Sequence, residues 1–451
     1  MELESIERVY LVGIGGIGMS GLARYFKKRG CVVCGYDKTC TQLTEKLMNE
    51  GIPVVFQDEE DNIPVSFQEN DPHTLVVYTP AIPKDSAILN YFKNGSYSLK
   101  KRSEVLGIIS KGMFTIAVAG THGKTTTSSI IAHVLKDSGY DCSAFLGGIA
   151  SNYNSNVLFG SNNTMVVEAD EFDRSFLTLH PDIAIVTSMD ADHLDIYGDK
   201  MHLVESFKQF TSQIKPGGRL IYRQGLDLEG GKTYSANVMA DIQAYNVRIE
   251  NGSFWFDFKN WNTEIENIQL GLPGLHNIEN AVSAIEVALQ LGIEPEKIKK
   301  ALAGFLGVKR RFEYILKEQG HIYIDDYAHH PEELRACITA VKSLYPDKKL
   351  TAIFQPHLFS RTRDFASEFS EVLSMVDDLI MLEIYPAREL PIEGVSSSMI
   401  LENVNNASKR ILTKHAALDF VKSNKPELLL TVGAGDIDTL VQPIKEILQN
   451  A

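Results

Sequence analysis

One segment constrains the fold of this chain more than any other, the octapeptide Gly-Thr-His-Gly-Lys-Thr-Thr-Thr at residues 120–127. The apolar run 115–119 precedes it, and a stretch typical of a helix follows it. A buried strand that turns through glycines into a helix directs backbone N–H groups and the positive end of the helix dipole at an anion. We therefore expect a polyphosphate site within an α/β fold, although Val118 stands where the usual motif has its first glycine.

Single side chains of this loop have separate expected roles. Lys124 is expected to reach the β- and γ-phosphates, and the Thr125 hydroxyl is expected to bind Mg²⁺. Gly120 and Gly123 would allow close approach of the backbone to the ligand. The alternative is a glycine-rich turn that contains a chance Lys-Thr pair. The context of strand, loop and helix favours an ATP-type site with a divalent metal, Mg²⁺ or Mn²⁺.

Length, charge and cysteine content exclude several classes of protein. A chain of 451 residues is too long for one core and predicts about three domains. The net charge of −14 argues against nucleic-acid or membrane partners, because either would require a basic face. No run approaches the roughly 18 apolar residues of a membrane span, and the acidic N-terminus does not resemble a signal peptide. Five cysteines, an odd number, do not predict a disulfide framework, so we expect a cytoplasmic protein.

Three consecutive segments alternate strands with helices, which is typical of α/β domains with largely parallel sheets. The boundaries that we predict are 1–109, 110–309 and 310–451. The middle segment also contains a β-rich stretch, in which residues 250–253 are expected to form a hairpin turn. It ends with a helix at residues 277–291.

The first segment contains its own glycine loop, Gly13-Ile-Gly-Gly-Ile-Gly18, between a strand and a helix. Asp37 is expected to end the next strand, where a dinucleotide-binding fold places a carboxylate on ribose hydroxyls. This pattern alone predicts NAD binding. A different nucleotide remains equally open because the next segment has a phosphate loop of another type, and the glycines could also serve helix packing only.

Two acidic loops follow predicted strands downstream of the phosphate loop. One loop contains Glu168 and the other contains His193. If the two strand ends are neighbours, these side chains and Thr125 would form an oxygen-and-imidazole site for a divalent metal. For most of five other carboxylates in these loops, we expect helix caps or solvated loop charges. The five are Asp170, Glu171, Asp173, Asp190 and Asp195.

Eight sequence strings, taken in order, resemble those of the Mur ligases. They are GIGGIGMSGLA, GTHGKTTT, EADEFDRSFL, DADHLDIYGD, GLHNIENA, GVKRRFE, DDYAHHP and FQPHLFSRTRDF. The resemblance covers nearly the whole chain and implies an ATP-dependent amide-forming ligase with three domains. These would be an N-terminal Rossmann-like domain that binds a UDP-sugar, a central P-loop ATPase with a mixed sheet, and a C-terminal Rossmann-like domain.

The same resemblance implies a role for particular residues. The UDP-substrate would be bound by Gly13, Gly15, Gly16, Ile17, Gly18, Asp37, Thr79 and Pro80. ATP would be bound by Gly120, Thr121, His122, Gly123, Lys124, Thr125, Thr126, His276, Asn277, Asn280, Arg311 and Asp326. The metal would be held by Thr125, Glu168 and His193. Catalysis would use Lys124, Glu168, His193, Arg311, Asp326, His329 and Arg361, with Tyr327 on the amino-acid side.

The implied reaction activates the lactyl carboxylate of UDP-N-acetylmuramate as an acyl phosphate, which the amine of L-alanine then attacks. A ligase of the same family that recycles a tripeptide is one alternative, and a nicotinamide-dependent oxidoreductase is another from a different class. We expect a monomer or homodimer. One position departs from the family pattern, because Leu358 stands where an arginine is common, and Arg363 or Arg388 is a candidate substitute for that arginine.

Overall fold

The computed structural model describes residues 3–69, 71–190, 200–318, 320–387, 389–406 and 408–450. The chain divides into two compact units. The first comprises Met1–Ala244, Phe258–Ile265 and Asn280–Leu302, and the second comprises Tyr245–Asp257, Glu266–Glu279 and Ala303–Ala451. Within the described ranges, no helix is both long and apolar enough to cross a membrane.

The N-terminal sheet has five strands in the order β3-β2-β1-β4-β5, and every pairing is parallel. Its strands are β1 Arg8–Val12, β2 Val32–Tyr36, β3 Val54–Val55, β4 Thr74–Tyr78 and β5 Ser98–Lys101. Val9 and Leu11 pack into one hydrophobic cluster, whereas Tyr10 and Val12 pack into another. Apolar side chains therefore cover both faces, as expected for a parallel sheet.

The second sheet has ten strands in the order β15-β14-β13-β12-β11-β10-β6-β9-β7-β8. The strands are β6 Phe114–Ala119, β7 Ser143–Ala150, β8 Ser155–Leu158, β9 Thr164–Ala169, β10 Ile183–Val186, β11 Arg219–Arg223, β12 Lys232–Ser235, β13 Ile242–Glu250, β14 Ser253–Lys259 and β15 Glu264–Leu270. The strand β6 lies between β10 and β9 and is parallel to both. The predicted turn at 250–253 is confirmed, since Asn251 and Gly252 adopt the positive φ that a tight hairpin requires.

The third sheet lies within the second unit and has the order β16-β17-β21-β18-β19-β20. Its strands are β16 Glu313–Glu318, β17 His321–Asp326, β18 Leu350–Phe354, β19 Asp378–Met381, β20 Lys409–Ile411 and β21 Leu428–Val432. Only the edge pairing of β16 with β17 is antiparallel. The predicted α/β class is confirmed by the three sheets.

Helices connect the strands of all three sheets. They are α1 Ile17–Lys28, α2 Gln42–Asn49, α3 Ala87–Asn94, α4 Arg102–Lys111, α5 Lys124–Asp137, α6 Lys200–Ser212, α7 Leu275–Gln290, α8 Pro295–Ala303, α9 Pro331–Leu344, α10 Phe359–Asp364, α11 Ala366–Leu373, α12 Ser397–Leu401, α13 Lys414–Asn424 and α14 Val441–Gln449. Helix α7 begins two residues before the predicted position, because the chain turns at Gly274 with φ of 110°. The predicted domain boundaries remain a prediction.

Candidate functional site

The phosphate loop joins the end of β6 to the start of α5, as its sequence predicts. Gly120 and Gly123 have φ values of 140° and 82°, which L-amino acids rarely adopt. Gly123 caps the helix without a side-chain hydrogen bond, and the first turn of the helix contains no acidic residue. The helix N-terminus therefore presents N–H groups and a positive dipole end that suit a phosphate.

Two hydroxyl residues after β10 support this loop. The Ser188 Oγ accepts a hydrogen bond from the backbone N–H of His122 at 2.7 Å and lies 2.9 Å from Thr121 Oγ1. Thr187 Oγ1 donates to the carbonyl of His122. A Cβ atom at Gly123 would lie 2.9 Å from Asn280 Oδ1, so the predicted nucleotide residue Asn280 lies beside the loop. Sequence analysis missed the two hydroxyl residues, although both directly follow an apolar strand.

Lys124 is held by its own loop and by one acidic residue. Its ammonium group donates to the carbonyl of Gly120 at 2.5 Å and to the carboxylate of Glu171 at 2.9 Å. Burial opposes the charged form, but the carboxylates of Glu171, Asp170 and Glu168 outweigh burial and raise the pKa of Lys124. Glu171 is only 1% exposed, and its side chain makes no cap hydrogen bond to the 3₁₀ helix that follows it. It is therefore neither a solvated loop charge nor a cap, which is what we expected for most of the loop carboxylates. The charged loop lysine stabilises this carboxylate in the interior.

Glu168 lies at the end of β9, and its Oε2 accepts a hydrogen bond from the backbone N–H of Gly147 at 2.9 Å. Because β9 and β6 are parallel neighbours, Glu168 emerges at the same sheet edge as the phosphate loop. His193, Asp195 and the side chain of Asp173 lie outside the described residues. Among the residues that the structure does describe, no three His, Cys, Asp or Glu side chains form a metal-binding group. Thr125 and Glu168 provide the oxygen donors that Mg²⁺ prefers, so these two residues fit the predicted metal site.

The N-terminal glycine loop is held by Asp37 and Thr79. Asp37 Oδ2 accepts a hydrogen bond from the backbone N–H of Gly15 at 2.8 Å. Gly13 has φ of 90°, and a Cβ atom there would lie 2.8 Å from Thr79 Cγ2. Gly16 precedes helix α1, and its backbone amide and those of Ile17 and Gly18 stand at the helix start. Helix α1 begins at Ile17 and presents a second N-terminus that suits a phosphate group.

One cavity of about 350 Å³ connects this glycine loop with the acidic strand end. Its lining includes Gly16, Gly18, Thr79, Arg102 and Glu168. The Arg102 guanidinium lies 3.5 Å from Asp170 Oδ2, and a Cβ atom at Gly18 would lie 2.5 Å from Arg102 Nη1. Arg102 therefore places a positive charge between the two predicted ligand sites. Sequence analysis missed it, because only the fold brings the start of α4 to this cavity.

In the second unit, Asp326 ends β17 and is buried. Its carboxylate accepts hydrogen bonds from the backbone N–H groups of Phe312 and Ala328, both at 2.7 Å. Burial raises the pKa of Asp326 to about 6, although Arg311 and these two bonds oppose the shift. Arg311 lies 5.3 Å from the ring of Tyr327 and 3.8 Å from Glu333. It is therefore anchored beside Asp326.

Two other predicted nucleotide residues lie at the start of α7. Burial and the nearby Arg311 together lower the pKa of His276 to about 4, although the Glu333 carboxylate opposes the shift. The side-chain amide of Asn277 donates to the carbonyl of Pro273 at 2.5 Å. His276 is therefore neutral at physiological pH and able to accept or donate a hydrogen bond.

The residues predicted on the amino-acid side form one cluster in the second unit. The Nδ1–H group of His329 donates a hydrogen bond to the Tyr327 carbonyl at 2.9 Å, and Nδ1 lies 3.5 Å from Glu333. Burial lowers the pKa of His329, and Arg361 and Arg311 lower it further. The His329 ring centroid lies 5.8 Å from that of His357, whose Nδ1 is 3.5 Å from Arg361 Nη1. Sequence analysis did not select His357 or Glu333, although both stand within or beside the quoted strings.

Leu358 has φ of 70° and directly precedes α10. Two residues were candidate substitutes for the arginine that is common at this position. One of them, Arg363, is half-exposed and forms an ion pair with Asp364 at 2.7 Å. Arg388 lies outside the described residues. Within the described part of the cluster, Arg361 supplies the guanidinium beside His357.

Three family models match most of the chain. They describe a Mur ligase family catalytic domain at residues 8–113, a Mur ligase middle domain at 118–288, and a Mur ligase glutamate ligase domain at 310–435.

Curated relatives match over full length. The chain is 51% identical over 449 residues to a UDP-N-acetylmuramate–L-alanine ligase of Flavobacterium psychrophilum, with 99% of each chain covered. It is 50% identical over 448 residues to the enzyme of the same name from Flavobacterium johnsoniae, again with 99% of each covered. The crystal structure of the UDP-N-acetylmuramate–alanine ligase MurC from Thermotoga maritima superimposes with a TM-score of 0.84 at 27% identity, and covers 98% of this chain and 99% of its own. The chain therefore belongs to the Mur ligase family.

Proposed function

We propose that this protein is an ATP-dependent ligase that joins L-alanine to the lactyl carboxylate of UDP-N-acetylmuramate. The full-length relatives of about 50% identity carry this activity in their names, which supports the choice among Mur ligases. One structural observation carries the proposal furthest. The cavity that Gly16, Gly18 and Arg102 line also contains Glu168, beside the phosphate loop, so a sugar-nucleotide and ATP would meet there.

The first step would transfer the γ-phosphoryl group of ATP to a carboxylate oxygen. A carboxylate is a poor electrophile, and its conversion to an acyl phosphate provides a leaving group; ADP is released. Lys124 would neutralise the charge that develops on the transferred group, and the helix N-terminus at Gly123 would bind its oxygens. Arg102 would orient the substrate carboxylate through its guanidinium. Most of the rate enhancement would come from alignment and charge stabilisation.

Mg²⁺ or Mn²⁺ would be held by Thr125 and Glu168, with His193 as the further ligand that the sequence predicts. When bound, such an ion neutralises phosphate charge and aligns the phosphoryl group. The Gly147 N–H would keep the Glu168 carboxylate in place. Chelation of divalent metal is therefore expected to stop phosphate release.

The second step would form the amide. The amine of L-alanine attacks the acyl carbon, the C–O bond to phosphate breaks, and the amine loses a proton. Neutral His329 and the nearby Arg361 would contact the amino acid, since a lowered pKa leaves the imidazole free to accept a proton. A cytoplasmic location and a monomeric or homodimeric state belong to the same proposal.

The test is phosphate release in the presence of UDP-N-acetylmuramate, ATP and L-alanine, with glycine and L-serine as competing acceptors. Omission of any of the three substrates should abolish release. The variant Lys124→Ala should lose turnover by several orders of magnitude, while UDP-N-acetylmuramate still binds. Near-normal turnover of this variant would exclude the phosphate loop as the ATP site, and NADH oxidation without phosphate release would favour an oxidoreductase.

A further inference from the structure

A second cavity, of about 570 Å³, lies in the first unit, and none of its lining residues has been assigned a role above. Its lining includes Arg219 and Lys232 at the start of β11 and β12, the turn after β14, and the last turn of α7. The volume lies within the range of small-molecule sites in proteins. None of the proposed catalytic steps uses these residues.

The cavity wall contains a buried carboxylate, that of Glu286, which is only 1% exposed. Its two oxygens each accept one hydrogen bond from a neutral amide, from Asn260 Nδ2 at 2.7 Å and from Gln290 Nε2 at 2.8 Å. No ion pair to Glu286 occurs among the residues that the structure describes. A buried carboxylate normally has a cationic partner, because its transfer out of water is costly.

Two further groups beside Glu286 also suit a cation. The Oε1 atom of Gln290 is buried and accepts no hydrogen bond from the described part of the chain. Trp261 is 51% exposed, and its ring face already attracts the ammonium group of Lys232 at 5.1 Å. An indole face, an amide oxygen and a carboxylate are the groups that bind primary ammonium ions in proteins.

We propose that this cavity is a binding site for a small organic molecule that carries a primary ammonium group. The ammonium group donates hydrogen bonds to Glu286 and Gln290, and the carbon chain packs against Trp261. Such a ligand could be a simple amine or an amino acid. In the second case its carboxylate faces Arg219 and Lys232, which line the same cavity. The site is independent of the proposed ligase reaction.

Isothermal titration calorimetry of the full chain with 1,5-diaminopentane and L-lysine separates these two sources. Saturable binding of both indicates an ammonium site, and binding of L-lysine alone indicates that the carboxylate contributes. The uncharged 1,5-pentanediol, of similar length, should not bind. Glu286→Gln should weaken binding roughly tenfold or more, because a charge-assisted hydrogen bond is lost.

Two variants at exposed positions test the site without disturbing the interior. Trp261→Ala should weaken binding of both amines, whereas Lys232→Met should strengthen binding of 1,5-diaminopentane, which has no carboxylate for Lys232 to bind, because Lys232 no longer competes for the indole face. Trp255→Phe leaves Trp261 as the only tryptophan, and its emission should then change on saturation with L-lysine. Absence of saturable binding of both amines, or equal binding of the diol, would overturn the proposal; unchanged affinity in Trp261→Ala would overturn it as well.

Discussion

At the residue scale, Glu171 holds the side chain of the phosphate-loop lysine, Lys124. The buried carboxylate of Glu171 binds the ammonium group of Lys124. In the proposed reaction, Lys124 would exchange this partner for a phosphate group of ATP. The contact therefore stabilises the charged form of Lys124, and it would compete with a bound nucleotide for the same charge. Glu171 has this role because it is buried beside Lys124, which the polar sequence of its loop does not indicate.

We expect Glu171→Gln to lower the free energy of unfolding without nucleotide by about 3 kcal/mol, because a buried ammonium group loses its counter-charge. Saturating ATP analogue should restore more stability in this variant than in the original protein, since phosphate replaces the lost carboxylate. Thermal unfolding with and without the analogue measures both effects. Asp170→Asn is the matched control, because Asp170 is more exposed and should give a small change. Equal nucleotide-induced shifts in both variants would contradict the assigned contact.

Two neighbouring groups of the second unit titrate in opposite senses. The pKa of Asp326 is raised to about 6, so between pH 4 and 6 the folded chain retains a proton that the unfolded chain has lost. Stability from this group falls as pH rises. The pKa of His276 is lowered to about 4, so between pH 4 and 6.5 the unfolded chain binds the extra proton. Stability from this group rises with pH, and the two contributions nearly cancel.

The variant Asp326→Asn should remove the contribution to stability that falls as pH rises. Its unfolding free energy should then rise more steeply than that of the original protein between pH 4 and 6.5, by up to about 3 kcal/mol. His276→Gln should show the opposite slope. Urea unfolding at a series of pH values measures these slopes. Three parallel curves would show that neither group has the shifted pKa.

At the scale of elements, the turn between β6 and α5 is the segment that we propose binds phosphate. Gly120 has φ of 140°, and a Cβ atom there would overlap the Thr187 hydroxyl. The φ angle of Gly120 and the position of Thr187, which directly follows β10, therefore both exclude a side chain at Gly120. The loop geometry depends on the sheet as well as on its own glycines.

We expect Gly120→Ala to raise the KM for ATP at least roughly tenfold and to lower stability, because the loop must move away from β10. Gly139→Ala is the control, since Gly139 also has positive φ, 82°, but a Cβ atom there would meet no heavy atom within 4 Å. This control should lose about 1 kcal/mol of stability and retain its KM for ATP. Steady-state kinetics with varied ATP compares them. A similar KM for ATP in both variants would show that the added Cβ at position 120 and the Thr187 hydroxyl avoid each other without a change in the phosphate loop.

At the scale of the whole molecule, the predicted functions are distributed between the two units. The first unit contains both glycine loops, Lys124 and Glu168, whereas His329 and Arg361 belong to the second. In the proposed reaction, Lys124 and Glu168 of the first unit act in phosphoryl transfer, whereas His329 and Arg361 of the second unit act in amide formation. Substitution on the amino-acid side should therefore affect the second step more than the first.

We expect Arg361→Ala to retain formation of the acyl phosphate and to lose amide formation by at least roughly a hundredfold, because the guanidinium that would orient the amino acid is absent. Trapping of the acyl phosphate with hydroxylamine in the absence of L-alanine measures the first step, and phosphate release with L-alanine measures the complete reaction. Lys124→Ala should instead lose both. Loss of hydroxylamine trapping in Arg361→Ala would assign Arg361 to phosphoryl transfer.

The sequence by itself determined the features that depend on contiguous residues. The phosphate loop at 120–127, the glycine loop at 13–18 and the hairpin at 250–253 lie between the elements that their residue types predict. Apolar strands alternating with helices predicted the parallel sheets, because each strand must be covered on both faces. The eight ordered strings also indicated the family before any contact was known.

Only the tertiary structure decided which distant side chains meet. Glu171 belongs to a group of carboxylates for which we mostly expected caps or solvated charges, and it is instead buried against Lys124. Arg102 reaches the glycine loop and Asp170 from α4. Glu286 received no functional interpretation, although its carboxylate lies in a cavity wall without a cationic partner among the described residues. Burial and charge pairing arise when segments far apart in sequence pack together. Local residue patterns contain no record of those distances, which is why these three sites required the fold.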